Sequence, residues 1–354
     1  MEVRISRTTT PKAKPDQTNL GFGVHYTDHM FVMPYNEGIG WHDASIVPYA
    51  PLALDPASMV FHYAQECFEG MKAYRTPTGQ VQLFRPDKNA ARMASTHERL
   101  CIPQLPQGAF EQAVETLVSV EKDWVPAHPE TSLYIRPCTI ATEPHLGVKA
   151  SESYLFFVIC SPSGAYYAEG LDPVKIYVED TFTRAAPGGT GSIKCGGNYA
   201  ASLAAQEKAH KLGYSQVLWL DGVHRRFVEE VGSMNCFFKI NGQVYTAPVA
   251  GTVLPGITRM SCIELMRSWG LQVNEQPISI EDIITGAQTG QLEEVFGTGT
   301  AAVVTPVGEL GYRDMNVTVG GGGIGPVTAR LYDELTGIQW GRLPDTHGWT
   351  VPVK

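Results

Sequence analysis

The longest apolar run in this chain extends only from Tyr154 to Cys160 (YLFFVIC). A membrane-crossing helix takes about 20 such residues, so this run reads as a buried strand. Other strand-like runs, rich in β-branched and aromatic residues and bounded by Gly, Pro, Asn or Asp, are Ser58–Tyr63, Val81–Arg85, Leu133–Ala141, Val174–Val178, Val217–Leu220, Phe237–Ile240, Val244–Ala247 and Ala302–Val307. Helical runs are Asp87–Leu100, Phe110–Trp124, Tyr199–Leu212, Thr258–Trp269, Ile280–Gly286 and Val327–Leu335, with Asp87 as a candidate N-cap and Pro326 in a first-turn position. Their order is neither a regular βαβα alternation nor all-β, which predicts an α+β chain. A length of 354 residues suggests two domains. We expect a small N-terminal domain over 1–163, a linker over 164–178 around the Gly-containing polar stretch, and a larger C-terminal domain over 179–354.

A net charge of −9 argues against a nucleic-acid or anionic-membrane surface. The opening stretch MEVRISRTTTPKAKPDQTN has no apolar segment of a secretion signal and reads as a loosely ordered arm. Cys67, Cys101, Cys138, Cys160, Cys195, Cys236 and Cys262 are scattered without paired spacing. That pattern points away from a disulfide framework or metal site and towards a reducing cytoplasm.

Against this ordinary background Lys194 stands out. It lies in GGTGSIKCGGNYAAS and is the only charged residue between Arg184 and Glu207. A lysine presented by small-residue backbone can be desolvated and its amine made nucleophilic towards a carbonyl; a loop lysine beside a glycine-rich turn is the plainer alternative. Three further segments carry possible chemistry. LPGITR (Leu254–Arg259) opens a helix, whose free N–H groups and dipole favour an anion, with Thr258 adding a hydroxyl. FGTGTAA (Phe296–Ala302) ends a strand-like run in small residues that can form an anion-binding nest. EEVGSMN (Glu229–Asn235) holds two adjacent glutamates, of which strand alternation lets only one face inward. A buried carboxylate there needs a cationic partner. The glycines at 320–325 lack the following βαβ unit of a nucleotide-binding fingerprint. A reactive lysine, two anion cradles and a buried acid together suggest pyridoxal 5'-phosphate.

The sequence resembles the branched-chain amino acid aminotransferases, two-domain α+β enzymes of the fold type IV pyridoxal-phosphate class, which is D-amino acid aminotransferase-like in fold. The resemblance runs collinearly from Gly21 to Trp349, through HYAQECFEGMKAYR, FRPDKNAARM, YIRP, the GGNY after Lys194, EVGSMN, LPGITR, GTAA and DTHGW. It implies Lys194 as the Schiff-base lysine and proton shuttle, and selects Glu230 over Glu229 as the ring-nitrogen partner. It implies phosphate contacts at Arg92, Ile257, Thr258 and Thr300, a contact of Tyr199 with the phenolic oxygen, and a hydroxyl at Ser233 near the ring or phosphate. It further implies that Tyr134 and the N–H groups of Thr300 and Ala301 hold the substrate α-carboxylate. Phe68, Tyr63 and Tyr166 would wall the branched side chain, and Arg136 would accept the side-chain carboxylate of glutamate. The implied activity is a ping-pong exchange of amino groups between leucine, isoleucine or valine and 2-oxoglutarate, by a cytoplasmic homodimer. Animal members carry a Cys-x-x-Cys pair where this chain has Ala302 and Thr305, so no thiol switch is expected there. Rival readings are a D-amino acid transaminase or aminodeoxychorismate lyase on the same fold, and a binder of phosphate ligands without catalysis.

Overall fold

The computed structural model describes residues 1–164 and 171–354. Two compact units emerge: Met1–Tyr166 with Lys194–Gly196 and Gly337–Lys354, and Tyr167–Ile193 with Gly197–Thr336. This differs from the expected division into consecutive pieces. The C-terminal strand Thr350–Pro352 pairs with Val81–Phe84, and the backbone around Lys194 is hydrogen-bonded to Phe68 and Thr96. The expected linker also overlaps a strand, Val174–Glu179.

The first unit is built on a mostly antiparallel sheet centred on Ser132–Ala141 and Ser153–Ser163, flanked by His29–Asn36 on one side and by Met71–Arg75 and Val81–Phe84 on the other. Helices Pro86–Arg99 and Ala109–Val120 contribute Met93, Phe110, Val114 and Leu117 to a core shared with Phe31, Leu133, Ile135, Phe156 and Val158. Each such side chain, removed from water, contributes about 1.5–3 kcal/mol before the entropy of ordering is counted. The helix at Pro86 starts differently from expectation: Arg85, in a left-handed conformation, is the N-cap, proline takes the first helical position, and Asp87 sits inside the first turn. The run Ser58–Tyr63, read above as a strand, is a short helix from Met59 to Tyr63, joined to the sheet only by a bridge at Ser58. Six residues of mixed pattern do not separate the two choices.

In the second unit the strands Val228–Val231, Gln216–Leu220, Val174–Glu179, Val303–Tyr312, Leu292–Gly299 and Met234–Ile240 follow one another, and the last pairs back to the first. These six strands therefore close on themselves, while Gln243–Thr246 and Val273–Glu275 extend the sheet beyond Met234–Ile240, and Met315–Thr318 pairs with Val303–Tyr312. The turn between Val231 and Met234 requires glycine at Gly232, where φ is +53° and a Cβ would meet the Gln216 side chain at 1.9 Å. Helix Ile280–Thr289 packs on this sheet through Ile280, Ile283 and Ile284, and Ser279 caps it by accepting from the Asp282 N–H. The helical run expected over Tyr199–Leu212 is divided into Gly196–Ala200 and Leu203–Lys211.

One buried group yields a measurable consequence. His97 is fully buried, with Nδ1 3.0 Å from the Pro103 carbonyl and Nε2 3.0 Å from the Thr139 hydroxyl. Burial pulls its pKa down to about 4, against the smaller opposing effect of Pro103. An unfolded histidine titrates near 6.5, so between these values the unfolded chain binds the extra proton. Stability is therefore complete above about pH 6.5 and falls as pH drops towards 4, by up to about 3 kcal/mol. Denaturant midpoints at about pH 7 and pH 5 should converge in His97→Gln relative to the parent. An unchanged gap would show that His97 is not the titrating group.

Candidate active site

Lys194 is the centre of a cationic cluster in the first unit. Its backbone is held at three points: its N–H donates to the Thr96 hydroxyl (3.2 Å), its carbonyl accepts from the Phe68 N–H (3.1 Å), and the Gly196 N–H donates to Glu66. Thr96 belongs to the helix that also carries Arg92, and its hydroxyl donates to the Arg92 carbonyl. The lysine is thereby fixed to the element bearing the candidate phosphate-binding arginine. Its Nζ lies 4.9 Å from the centre of the Phe68 ring, and the Arg136 guanidinium lies 4.7 Å from the same centre. Burial first, and then the nearby Arg92, pull the Lys194 pKa down to about 8. A free lysine sits near 10.4, so about a tenth of this amine is unprotonated at pH 7, against far less than a hundredth for a free lysine.

Arg92 is buried rather than a surface charge, gripped by Glu69 through Nε–Oε1 (2.8 Å) and Nη2–Oε2 (2.7 Å). Glu69 also accepts from the Asn89 amide at 2.7 Å. Tyr134 and Arg136, two apart on Ser132–Ala141, share a face. The Arg136 Nη2 donates to the Tyr134 hydroxyl at 3.1 Å. A Cβ at Gly70 would meet that hydroxyl at 2.2 Å, so glycine there is needed for the ring to sit as it does. The Tyr63 hydroxyl donates to the Leu146 carbonyl. Tyr166 lies outside the described residues.

The second unit gathers a different set around Asn235. Glu230 accepts from the Leu254 N–H (2.5 Å) and the Asn235 amide (3.3 Å), and pairs with Arg184 (3.0 Å). Asn235 also donates to the Leu254 carbonyl at 2.9 Å and stands opposite Thr298 in the sheet. A Cβ at Gly256 would meet the Asn235 side chain at 1.9 Å. The helix Ile257–Ser268 thus starts beside the buried acid, with Gly256 as an N-cap that makes no side-chain capping bond. Ile257 and Thr258 are buried at its first turn, where N–H groups have no partner inside the helix. Thr300 and Ala301 form the turn after Leu292–Gly299, and Ser233 lies in the turn next to Gly299. Tyr199 is half-buried on Gly196–Ala200.

The structure corrects the expectation for the glutamate pair, since Glu229 and Glu230 are both buried. Strand Val228–Val231 is covered on both faces, and Glu229 bonds the Thr252 hydroxyl at 2.5 Å. Sequence reasoning missed Glu69, Asn235 and Arg184 as parts of the site. Glu69 and Asn235 stood inside the FEGMK and EVGSMN motifs, and Arg184 was visible only as the last charge before Lys194.

Each unit carries groups that a phosphorylated aldehyde cofactor can use. An uncapped helix start with a buried Thr258 can receive a phosphate, a partly deprotonated amine can bond an aldehyde, and a buried carboxylate can face a protonated ring nitrogen.

Comparison with known proteins agrees. The family model "Amino-transferase class IV" matches residues 66–310. The chain is 56% identical over 352 residues to "Branched-chain-amino-acid transaminase 1" of Bacillus subtilis (strain 168), covering 99% of each protein. It superposes on a branched-chain amino acid aminotransferase from Escherichia coli with a TM-score of 0.74 and 26% identity, covering 92% of this chain and 99% of that one. A branched-chain amino acid aminotransferase from T.th., complexed with N-(5'-phosphopyridoxyl)-L-glutamate, gives a TM-score of 0.74 and 26% identity, covering 92% of this chain and 98% of that one. The two sheets with their helices are the α+β architecture of the fold type IV aminotransferases, and the chain belongs to the class IV aminotransferases, among the branched-chain amino acid aminotransferases.

Proposed function

We propose that the protein catalyses reversible transamination of L-leucine, L-isoleucine and L-valine with 2-oxoglutarate, giving branched-chain 2-oxo acids and L-glutamate, with pyridoxal 5'-phosphate as cofactor. The observation that carries this reading is the Lys194 amine, lowered to about 8 between Arg92, Phe68 and Arg136. The cofactor, when bound, supplies an aldehyde for amines and a ring that accepts electrons from the substrate Cα.

The chain's own groups do the rest. Lys194 Nζ anchors the cofactor and, once released, carries a proton to and from the substrate Cα; a positioned base of this kind contributes about 10²–10⁴-fold. Glu230 pairs with the ring nitrogen. Arg92, the N–H groups of Ile257 and Thr258, and the Thr300 hydroxyl hold the phosphate. Tyr199 bonds the phenolic oxygen, and Ser233 supports the ring or phosphate. Tyr134 and the N–H groups of Thr300 and Ala301 hold the α-carboxylate. Phe68 and Tyr63 face the branched side chain and exclude water. Arg136, stacked on Phe68 and bonded to Tyr134, meets the acidic side chain of glutamate in the other half-reaction. An aromatic wall with hydroxyl tips and one guanidinium can accept both apolar and acidic side chains.

We infer a homodimer from the family membership. We also infer a cytoplasmic location, supported by seven free cysteines and by the lack, among the described residues, of any helix long and apolar enough to cross a membrane. The deciding experiment is a steady-state panel in both directions with the three amino acids, their D-forms and 2-oxoglutarate, alongside borohydride reduction and peptide mapping. We expect turnover with all three L-amino acids and a cofactor tag on Lys194. Turnover confined to D-amino acids, or no tag, would overturn the reading.

A further inference from the structure

Arg184 and Glu229 are not assigned a part in the reaction above, yet both are buried beside Glu230. Arg184 uses its Nε on Glu230 (3.0 Å) and its Nη1 on the carbonyls of Gly191 (3.2 Å) and Thr252 (2.9 Å). One guanidinium thus ties together the acid, the glycine loop before Ile193 and the segment that leads into Leu254–Thr258. Glu229 bonds Thr252 through Oε1, while its buried Oε2 has no hydrogen-bond partner among the described residues. Two buried carboxyl groups therefore stand near a single cation. They are not equivalent. Glu230 receives the ion pair and two further donors on its oxygens, whereas Glu229 has one hydroxyl. Burial raises the Glu229 pKa, against the smaller lowering effects of Thr252 and Arg184.

We propose that Arg184 is a positioning residue for the reaction: it holds Glu230 oriented and ionised, so that Glu230 rather than Glu229 is the charged partner of the cofactor ring nitrogen. A buried carboxylate without a cation takes up a proton or turns away. A neutral Glu230 would leave the ring nitrogen unprotonated and the ring a weaker acceptor of electrons. Glu229 is then the less readily ionised member of the pair, and its charge is not needed.

This inference rests on the assignment of Glu230 to the ring nitrogen, so the test separates the two. The holoenzyme is reconstituted with pyridoxal phosphate labelled with ¹⁵N in the ring, and the ¹⁵N chemical shift is read beside kcat and KM. Arg184→Gln keeps a donor for the carbonyls of Gly191 and Thr252 but removes the charge. Its ¹⁵N signal should move to the unprotonated position, with kcat down about 10- to 100-fold, the loss expected for one charge-assisted hydrogen bond, and KM nearly unchanged. Arg184→Lys keeps the charge and should keep the parent signal. Glu229→Gln should also keep it, and Glu230→Gln should lose it. A parent signal in Arg184→Gln beside a shifted one in Glu230→Gln overturns the role of Arg184 alone. A parent signal in Glu230→Gln overturns the assignment of Glu230 itself. If Arg184→Gln does not fold, Arg184→Lys still decides, because a folded lysine variant with the unprotonated signal contradicts a role through charge.

Discussion

Lys194→Ala should lose at least about 10⁴-fold in kcat, since it removes both the proposed covalent anchor and the proposed proton carrier, the second of which alone would account for about 10²–10⁴-fold. Cofactor binding should weaken without vanishing, because Arg92, Thr258 and Glu230 remain. A small primary amine in the buffer should restore part of the proton transfer but not the anchor. A stability signature accompanies the loss. The Lys194 pKa is depressed to about 8 in the folded protein. Between that value and the unfolded value near 10.4 the unfolded chain holds the extra proton, so the cofactor-free parent gains stability as pH rises through this window. The alanine variant has no such group, and its stability should change less between about pH 8 and pH 10. Turnover within about tenfold of the parent would contradict the assignment of Lys194. Equal pH slopes would show that the amine is not desolvated.

How legible this site is in the sequence depends on what each residue does. Groups proposed to touch the cofactor announce themselves locally: Lys194 by its glycine surroundings, Thr258 by a helix start, Thr300 by a strand ending in small residues. Arg184, Glu69 and Asn235 bond other polar groups rather than standing in a local motif, Arg184 and Glu69 through partners far along the chain, so each reads as an ordinary polar side chain. The same holds for the fold. Ser153–Ser163 and Gln216–Leu220 were visible as apolar, β-rich runs. His29–Asn36 was not, because HMFVMPYN mixes polar residues with a proline. Met71–Arg75 was hidden by Lys72, a buried charge in the middle of a short strand. The burial of both Glu229 and Glu230 was unreadable for a related reason: alternation assigns side chains to faces, but the sequence does not reveal that both faces of that strand are covered.

Glu69→Ala should be the most destabilising single change near the site. Glu69 is fully buried and neutralises Arg92 through two parallel bonds of 2.8 and 2.7 Å, while also accepting from Asn89. Removing it takes away the carboxylate that pairs with the buried Arg92 guanidinium, and breaking such a buried pair costs about 3–5 kcal/mol. Replacing both partners by apolar residues of similar size should cost much less, because neither charge is then stranded. Glu69→Met/Arg92→Leu is therefore expected to melt closer to the parent than Glu69→Ala does, while losing the phosphate contact that Arg92 is proposed to make. Inorganic phosphate gives an independent reading. An anion bound at Arg92 replaces the lost carboxylate and stabilises the folded state by RT ln(1 + [L]/Kd). Added to the cofactor-free protein, phosphate should raise the melting temperature of Glu69→Ala more than that of the parent, and should not do so in the double variant. A Glu69→Ala protein within about 1 kcal/mol of the parent would mean that Arg92 finds another counter-charge. An equal response to phosphate in all three proteins would mean that the anion binds away from Arg92, which would remove this arginine from the proposed phosphate site.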